Sequence, residues 1–257
     1  SCVPESIDLS WNRLEKESAI ALAKALEVNA SLKSIDLSRN WLEKESAIAL
    51  AKALEVNASL TELNIARNDI KNDGAVALAE ALKVNASLTE LNIGVNDIGE
   101  DGAVALAEAL KVNASLTSID LSLNQLGKDG AVALSGALNV NASMKKMNVL
   151  SNSIDKEGGQ ALVDAAPLQL QTFCGFEEGQ TKADLSGKSL GPGDAVLLAW
   201  ELTTGYVSAS LTELNIGSNR IGKDGAVALA EALEVNASLK SIDLGATTLH
   251  LTEKWPV

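Results

Sequence analysis

The stretch Leu60-Thr61-Glu62-Leu63-Asn64-Ile65-Ala66-Arg67-Asn68-Asp69-Ile70-Lys71-Asn72-Asp73-Gly74-Ala75-Val76-Ala77-Leu78-Ala79-Glu80-Ala81-Leu82 reads as one complete structural unit. Leu63 and Ile65 alternate with Glu62, Asn64 and Ala66, the period of two expected of a half-buried strand. Asn68 and Ile70 follow, and a polar stretch closes at Asp73-Gly74. The run from Ala75 to Leu82 then reads as helix. Ala75, Leu78, Ala79 and Leu82 share one face at i, i+3, i+4 and i+7, and Asp73 is placed as an N-cap or first-turn acid. Val84-Asn85-Ala86-Ser87 turns the chain back toward another strand.

That turn recurs at Val28, Val56, Val84, Val112, Val140 and Val235, the first five at intervals of 28 residues. Residues 6–33 and 34–61 agree at 25 of 28 positions, and residues 62–89 and 90–117 at 24 of 28. Such a period describes a solenoid in which each unit buries its apolar face against its neighbours. Strands that each return through a helix must run parallel. Parallel strands sit ~4.8 Å apart, whereas packed helices need ~8–10 Å. The stack therefore bends, with strands lining a concave face and helices a convex one. Ala77, Ala79 and Ala81 keep the helix thin and limit the bend.

One position just past each strand is asparagine: Asn12, Asn40, Asn68, Asn96, Asn124, Asn152 and Asn219. The backbone leaves regular pairing there, and its N–H and C=O groups would be buried unpaired. An amide carries both donors and an acceptor, so it can satisfy the loops of its own unit and of the adjacent one. The pattern Leu60-x-x-Leu63-x-Ile65-x-x-Asn68-x-Ile70-x-x-x-Gly74-x-x-x-Leu78-x-x-x-Leu82 resembles the 28-residue leucine-rich repeat of the ribonuclease-inhibitor-like class. The resemblance covers nearly the whole chain. It implies an α/β fold, a curved right-handed horseshoe with parallel strands inside and helices outside, and a role in protein–protein interaction, mostly inside cells.

Composition agrees with an aliphatic repeat core: 46% of the 257 residues are apolar and only 3% aromatic. The formal charge of −13 is a poor match to a nucleic-acid backbone or an anionic membrane. Two cysteines and one histidine cannot build a four-ligand Cys/His zinc site or a disulfide framework. No apolar run approaches the ~18 residues of a membrane span. His250 is the sole histidine. No phosphate loop, dinucleotide fingerprint or metal motif appears. Neither catalysis nor a cofactor or metal is therefore expected.

The period breaks between Val149 and Leu185 and again between Leu185 and Ile216. A single domain over residues 1–257 is expected, with regular units over about 6–164, an irregular insertion over about 165–182, further units over about 183–246, and a C-terminal cap over about 247–257. The cap would cover the last hydrophobic edge. Leu170–Phe176 is a candidate extra strand. The turn Glu177–Gln180 is too short for a parallel crossover, so if both flanking strands form, one must be antiparallel or displaced from the ladder. Lys188 stands where the column asparagine is expected. The first residues lack a start Met, a signal peptide and a capping helix, which reads as a processed or cut chain.

Three features are candidate functional sites. The concave column runs Asp8, Asp36, Asn64, Asn92, Asp120, Asn148, Asp184, Asn215 and Asp243, flanked by Glu62, Glu90 and Glu213. It is either an acidic surface for a basic partner or a solvated strand face copied by duplication. Trp11 and Trp41 lie on rim loops beside Arg13, Arg39 and Arg67, as binding anchors or as cover for the first repeats. The partner set is thus Trp11, Arg13, Asp36, Arg39, Trp41, Glu62, Asn64, Arg67, Glu90, Asn92 and Asp120. Phe173, Cys174 and Phe176 either project a contact or plug a gap in the core. The Asn-Ala-Ser triplets at Asn29, Asn57, Asn85, Asn113, Asn141 and Asn236 fit glycosylation acceptors but read as copied turns, and scarce cysteine suggests a cytoplasmic or other non-oxidising compartment.

The expected function is a non-enzymatic interaction scaffold. It would bind a protein of basic or mixed surface through its concave face and rims, without nucleic acid or membrane insertion. The alternatives are a structural subunit of a larger complex and an engineered array without a native partner.

Overall fold

The computed structural model describes residues 4–245 and 248–250. Strands and helices alternate along the chain as the repeat demands. The strands are β1 (Ser6–Asp8), β2 (Ser34–Asp36), β3 (Glu62–Asn64), β4 (Glu90–Asn92), β5 (Ser118–Asp120) and β6 (Lys146–Asn148). After the irregular segment come β7 (Lys182–Asp184), β8 (Glu213–Asn215), β9 (Ser241–Asp243) and β10 (Thr248–His250). The helices are α1 (Lys16–Val28), α2 (Lys44–Val56), α3 (Lys71–Leu82), α4 (Glu100–Leu110), α5 (Gly127–Leu138), α6 (Lys156–Asp164), α7 (Pro192–Thr203) and α8 (Gly222–Val235).

β1 to β6 form one parallel ladder whose register steps by 28 residues, from Ile7↔Ile35 through Leu63↔Leu91 to Ile119↔Met147. β7, β8 and β9 form a second parallel ladder. In each unit the strand leucines and isoleucines meet the inner helix face. Leu63, Ile65, Ile70, Leu78 and Leu82 are buried together, and the same set recurs in the next unit. The helix starts earlier than the apolar run suggests. α3 begins at Lys71, so Asp73 lies in its first turn and does not cap it.

The asparagine column works across units. Asn96 Nδ2 donates to the carbonyls of Ile93 and Gly94 in its own loop and of Ile65 in the preceding one, at 3.0–3.2 Å. Its backbone N–H and that of Ile98 donate to Asn124 Oδ1 of the following unit at 2.9 and 3.1 Å. The Nδ2 contacts recur at Asn40, Asn68, Asn124 and Asn152, and the forward backbone bond to the next amide recurs at Asn40 and Asn124. Asn219 makes the Nδ2 contacts in the second ladder and accepts from Leu190 N–H, while Asn12 Nδ2 donates to the Ser10 carbonyl and its backbone N–H to Asn40 Oδ1. A second amide column is formed by the Asn-Ala-Ser turns. Asn85 Nδ2 donates to Leu54 and Asn57 carbonyls of the preceding unit, and its Oδ1 accepts from Ser87 and Leu88. Asn57, Asn113, Asn141 and Asn236 do the same. These turns are structural joints.

Leu170–Phe176 forms no full strand, but the displacement expected of one neighbour does occur. Thr172 makes a single parallel bridge to Lys146. Met147 and Val149 donate to the carbonyls of Thr172 and Phe173 at 3.0 Å. The segment thus supplies the rung after β6, and β7 is the strand displaced, opening a new ladder. Phe173, Cys174 and Phe176 are buried, and Phe173 meets Trp200 edge-on at 5.1 Å between centroids, so the aromatics fill the core of the break. α6 and α7 span it by close backbone approach. A Cβ on Gly193 would fall 2.5 Å from the carbonyl oxygens of Ile154 and Asp155, and one on Gly159 would fall 2.7 Å from that of Gly193. Most of the expected cap lies outside the described residues. Within it, β10 pairs antiparallel with β9.

Candidate interaction surface

The concave column has a local job. Oδ1 of Asp8 accepts the N–H of Ser10, two residues on. The same contact recurs at Asp36, Asn64, Asn92, Asp120, Asn148, Asp184, Asn215 and Asp243, at 2.7–3.3 Å throughout. Each is an Asx turn that satisfies the N–H of the second residue beyond the strand. Aspartate and asparagine interchange there because both offer an oxygen. The Ser10 bonds hold the Asp8 carboxyl below the usual carboxylate range, and Ser186 does the same to Asp184.

The other half of each side chain faces the concavity. Asn64 donates to Asp36 Oδ2 at 2.9 Å and Asn148 to Asp120 Oδ2 at 3.1 Å, so part of the acidic column is bridged by amides. Asp8 and Asp36 are direct neighbours. Between β2 and β6 the face forms a shallow hollow of about 360 Å³. Of the expected partner set, Asp36, Glu62, Asn64, Glu90, Asn92 and Asp120 line it.

The insertion closes one end of this hollow, which the repeat pattern did not reveal. Gly175, Phe176 and Glu177 join the wall, and Glu177 meets Lys146, the one lysine of the lining, at 3.0 Å. That bond raises the Lys146 pKa, and its ammonium also lies 5.7 Å from the Tyr206 ring centroid. Among the described residues Glu62, Glu90, Asp36 and Asp120 form no ion pair, although the Glu90 charge adds a little to the rise at Lys146. In the second ladder, by contrast, Lys182 and Glu213 pair directly across strands at 2.8 Å.

Trp11, Arg13, Arg39, Trp41 and Arg67 do not line the hollow. They project from the loops beyond β1, β2 and β3, all exposed. Arg39 lies 4.3 Å from the Trp11 ring centroid and Arg13 5.8 Å from that of Trp41. The structure thus divides the expected partner set into a concave group and a rim group.

Two acids escaped sequence reading. Asp194 and Glu201 lie on one face of α7 and are fully buried. They stand 31 residues before Gly225 and Ala232, the step that sets Ala183 beside Leu214, so they occupy core positions of the helix pattern. A polar residue at a core position was the available signal. Asp194 accepts from Gly191 and Ser151 N–H at 2.7 and 2.8 Å. Glu201 Oε1 accepts from the Thr172 hydroxyl and from Phe173 and Cys174 N–H at 2.6, 2.7 and 3.1 Å. Burial pushes Asp194 up to about 6 and Glu201 up to about 7 despite these bonds. Burial also raises the Cys174 thiol well above its ordinary value, which leaves it a poor nucleophile. Among the described residues, no group of three or more His, Cys, Asp or Glu is placed to hold a metal.

The family model described as Leucine Rich repeat matches residues 5–23, 28–51, 56–79, 84–107, 112–135 and 207–230, together more than half of the chain. Among solved structures, the chain is similar to the leucine-rich repeat-containing protein LegL7 from Legionella pneumophila. Identity is 20% over 95% of this chain and 85% of that one, with a TM-score of 0.50. It is also similar to a chain of the Rad7 and Elc1 complex in yeast, at 16% identity over 93% of this chain and 62% of that one, with a TM-score of 0.54. These identities speak for the fold alone. A search of curated proteins finds no match.

Proposed function

The chain belongs to the leucine-rich repeat family, and on that premise we propose that it is a non-enzymatic scaffold that binds another protein through its acidic concave face. The observation that carries this reading is the hollow over β2–β6. Asp36, Glu62, Glu90 and Asp120 converge there, and the lining's only lysine is already paired with Glu177. A basic or mixed surface complements that field and gains mainly in association rate and selectivity. The same charge disfavours nucleic acid. No helix among the described residues is long and apolar enough to cross a membrane. No cofactor enters this reading. A buried, unpaired Cys174 is compatible with a non-oxidising compartment.

Glu62 and Glu90 are exposed and take no part in the Asx turns, so Glu62→Gln with Glu90→Gln removes charge without touching the fold. Affinity capture from the source extract, with identification by mass spectrometry, compares this variant with the natural chain. A partner held in a salt-sensitive way by the natural chain and lost by the variant supports the proposal. The same proteins held equally by both would overturn it.

A further inference from the structure

Three of the four arginines in this acidic chain, Arg13, Arg39 and Arg67, stand on the loops after β1, β2 and β3. Two of its four tryptophans stand with them, Trp11 70% and Trp41 57% exposed. The first two units differ at only three positions, and two of these exchange Trp and Arg: Trp11-Asn12-Arg13 becomes Arg39-Asn40-Trp41. Because unit stacks on unit in register, the exchange sets Trp11 against Arg39 and Arg13 against Trp41. Without it, tryptophan would face tryptophan and arginine would face arginine.

The loops hold these side chains in fixed places. Trp11, Arg39 and Arg67 all take positive φ, near +56 to +59°. Their N–H groups bond to Ser38, Ala66 and Gly94 of the next unit at 2.9–3.1 Å. Eight lysines pair with carboxylates, yet among the described residues none of these three guanidiniums does. A guanidinium lying on a ring face still presents its in-plane N–H fork, the geometry that grips a carboxylate bidentately. Exposed tryptophan beside it offers an apolar platform, and Trp and Arg dominate binding hot spots.

We propose that this rim is a second interaction surface, of opposite charge preference to the concave face, and that it takes a protein segment carrying carboxylates beside an apolar side chain. The inference rests on the scaffold reading but not on the basic partner of the hollow. Charge complementarity selects the occupant. Glu15, Glu43 and Asp69 border the rim in sequence, which disfavours an extended polyanion such as nucleic acid or an anionic bilayer.

A random-peptide phage library panned on the whole chain tests both surfaces at once. Acid-rich clones with apolar residues are expected, losing about tenfold in affinity on Arg13→Gln with Arg39→Gln. They should weaken comparably on Arg39→Lys with Arg13→Lys, which keeps the charge but not the fork. They should be unchanged on Glu62→Gln with Glu90→Gln, whereas base-rich clones from the hollow should show the reverse. Circular dichroism melts confirm that the variants stay folded. The rim proposal is overturned by an absence of acid-rich clones, by clones indifferent to the arginine changes, or by tighter arginine-dependent binding of single-stranded DNA or phosphatidylserine vesicles. Concentration-dependent self-association through the rim in sedimentation would overturn it too, since the occupant would then be a second copy.

Discussion

The β1–β6 ladder and the junction before β7 face the same physical demand and answer it differently. Wherever the chain leaves a strand, backbone groups are buried without ladder partners, and each left unpaired costs about 1–3 kcal/mol. Through the regular ladder, neutral amides meet this demand, with Asn40, Asn68, Asn96, Asn124 and Asn152 each bonding the preceding loop and their own. At the junction the register is lost and no amide stands in line. There α7 supplies two buried carboxylates, Asp194 for Ser151 and Glu201 for Thr172, Phe173 and Cys174. An amide does this work at any pH. A buried carboxyl ties the same bonds to protonation.

The largest effect that would break this comparison is loss of Glu201. Glu201→Ala strands three buried donors, and a urea melt should show a loss of about 3–5 kcal/mol. Gly205→Ala should damage the same bonds from outside, because its Cβ would fall 2.2 Å from Glu201 Oε2. Retention of full stability by both variants would show that the junction does not depend on this carboxyl.

Next in size is the pH dependence. The folded pKa of Glu201, about 7, exceeds its ordinary 4.5, and that of Asp194, about 6, exceeds 3.8. Both groups bind protons more tightly in the folded state. Their stabilising contribution is present below the ordinary values and is lost as pH rises through about 4–7. Denaturant midpoints measured from pH 5 to pH 8 should therefore fall, by on the order of 2–4 kcal/mol in stability. Glu201→Gln, which keeps an acceptor oxygen, should flatten most of that slope. A slope unchanged in the variant would place the titration elsewhere.

In the regular ladder the matching change is Asn96→Ala, which should cost about 1–3 kcal/mol with no new pH dependence. A pH-dependent loss there would erase the contrast. The smallest effect concerns the backbone. Val95, a β-branched residue, sits at φ 58°, the left-handed region it tolerates poorly. Val95→Asn should raise stability by about 1 kcal/mol in the same melt, whereas Ser218→Asn, at φ 57° in the second ladder, should gain less.

Much of the candidate interaction surface is legible in the sequence alone. Asp36, Glu62, Glu90 and Asp120 fall on one face by counting twos and twenty-eights, and the exchange of Trp11 and Arg13 for Arg39 and Trp41 is visible in two aligned units. The Asx turns are not, since a short side chain bonding its own backbone leaves no periodic trace beyond the preference for Asp and Asn. Nor is the contribution of Glu177, which reaches Lys146 from 31 residues away.

The ladder is already written in the repeat, because each of its units meets a near copy of itself. The contacts of one repeat are those of the next, and a period of 28 states them all. Where copying stops, the arrangement emerges only in the folded chain. That Thr172 follows Lys146 in parallel, that β7 begins anew and that Asp194 and Glu201 are drawn into the core all depend on contacts between unlike segments. Such contacts are fixed by shape and by the need to pair buried polar groups; the 31-residue step marks Asp194 and Glu201 as core positions but does not say which backbone groups they meet.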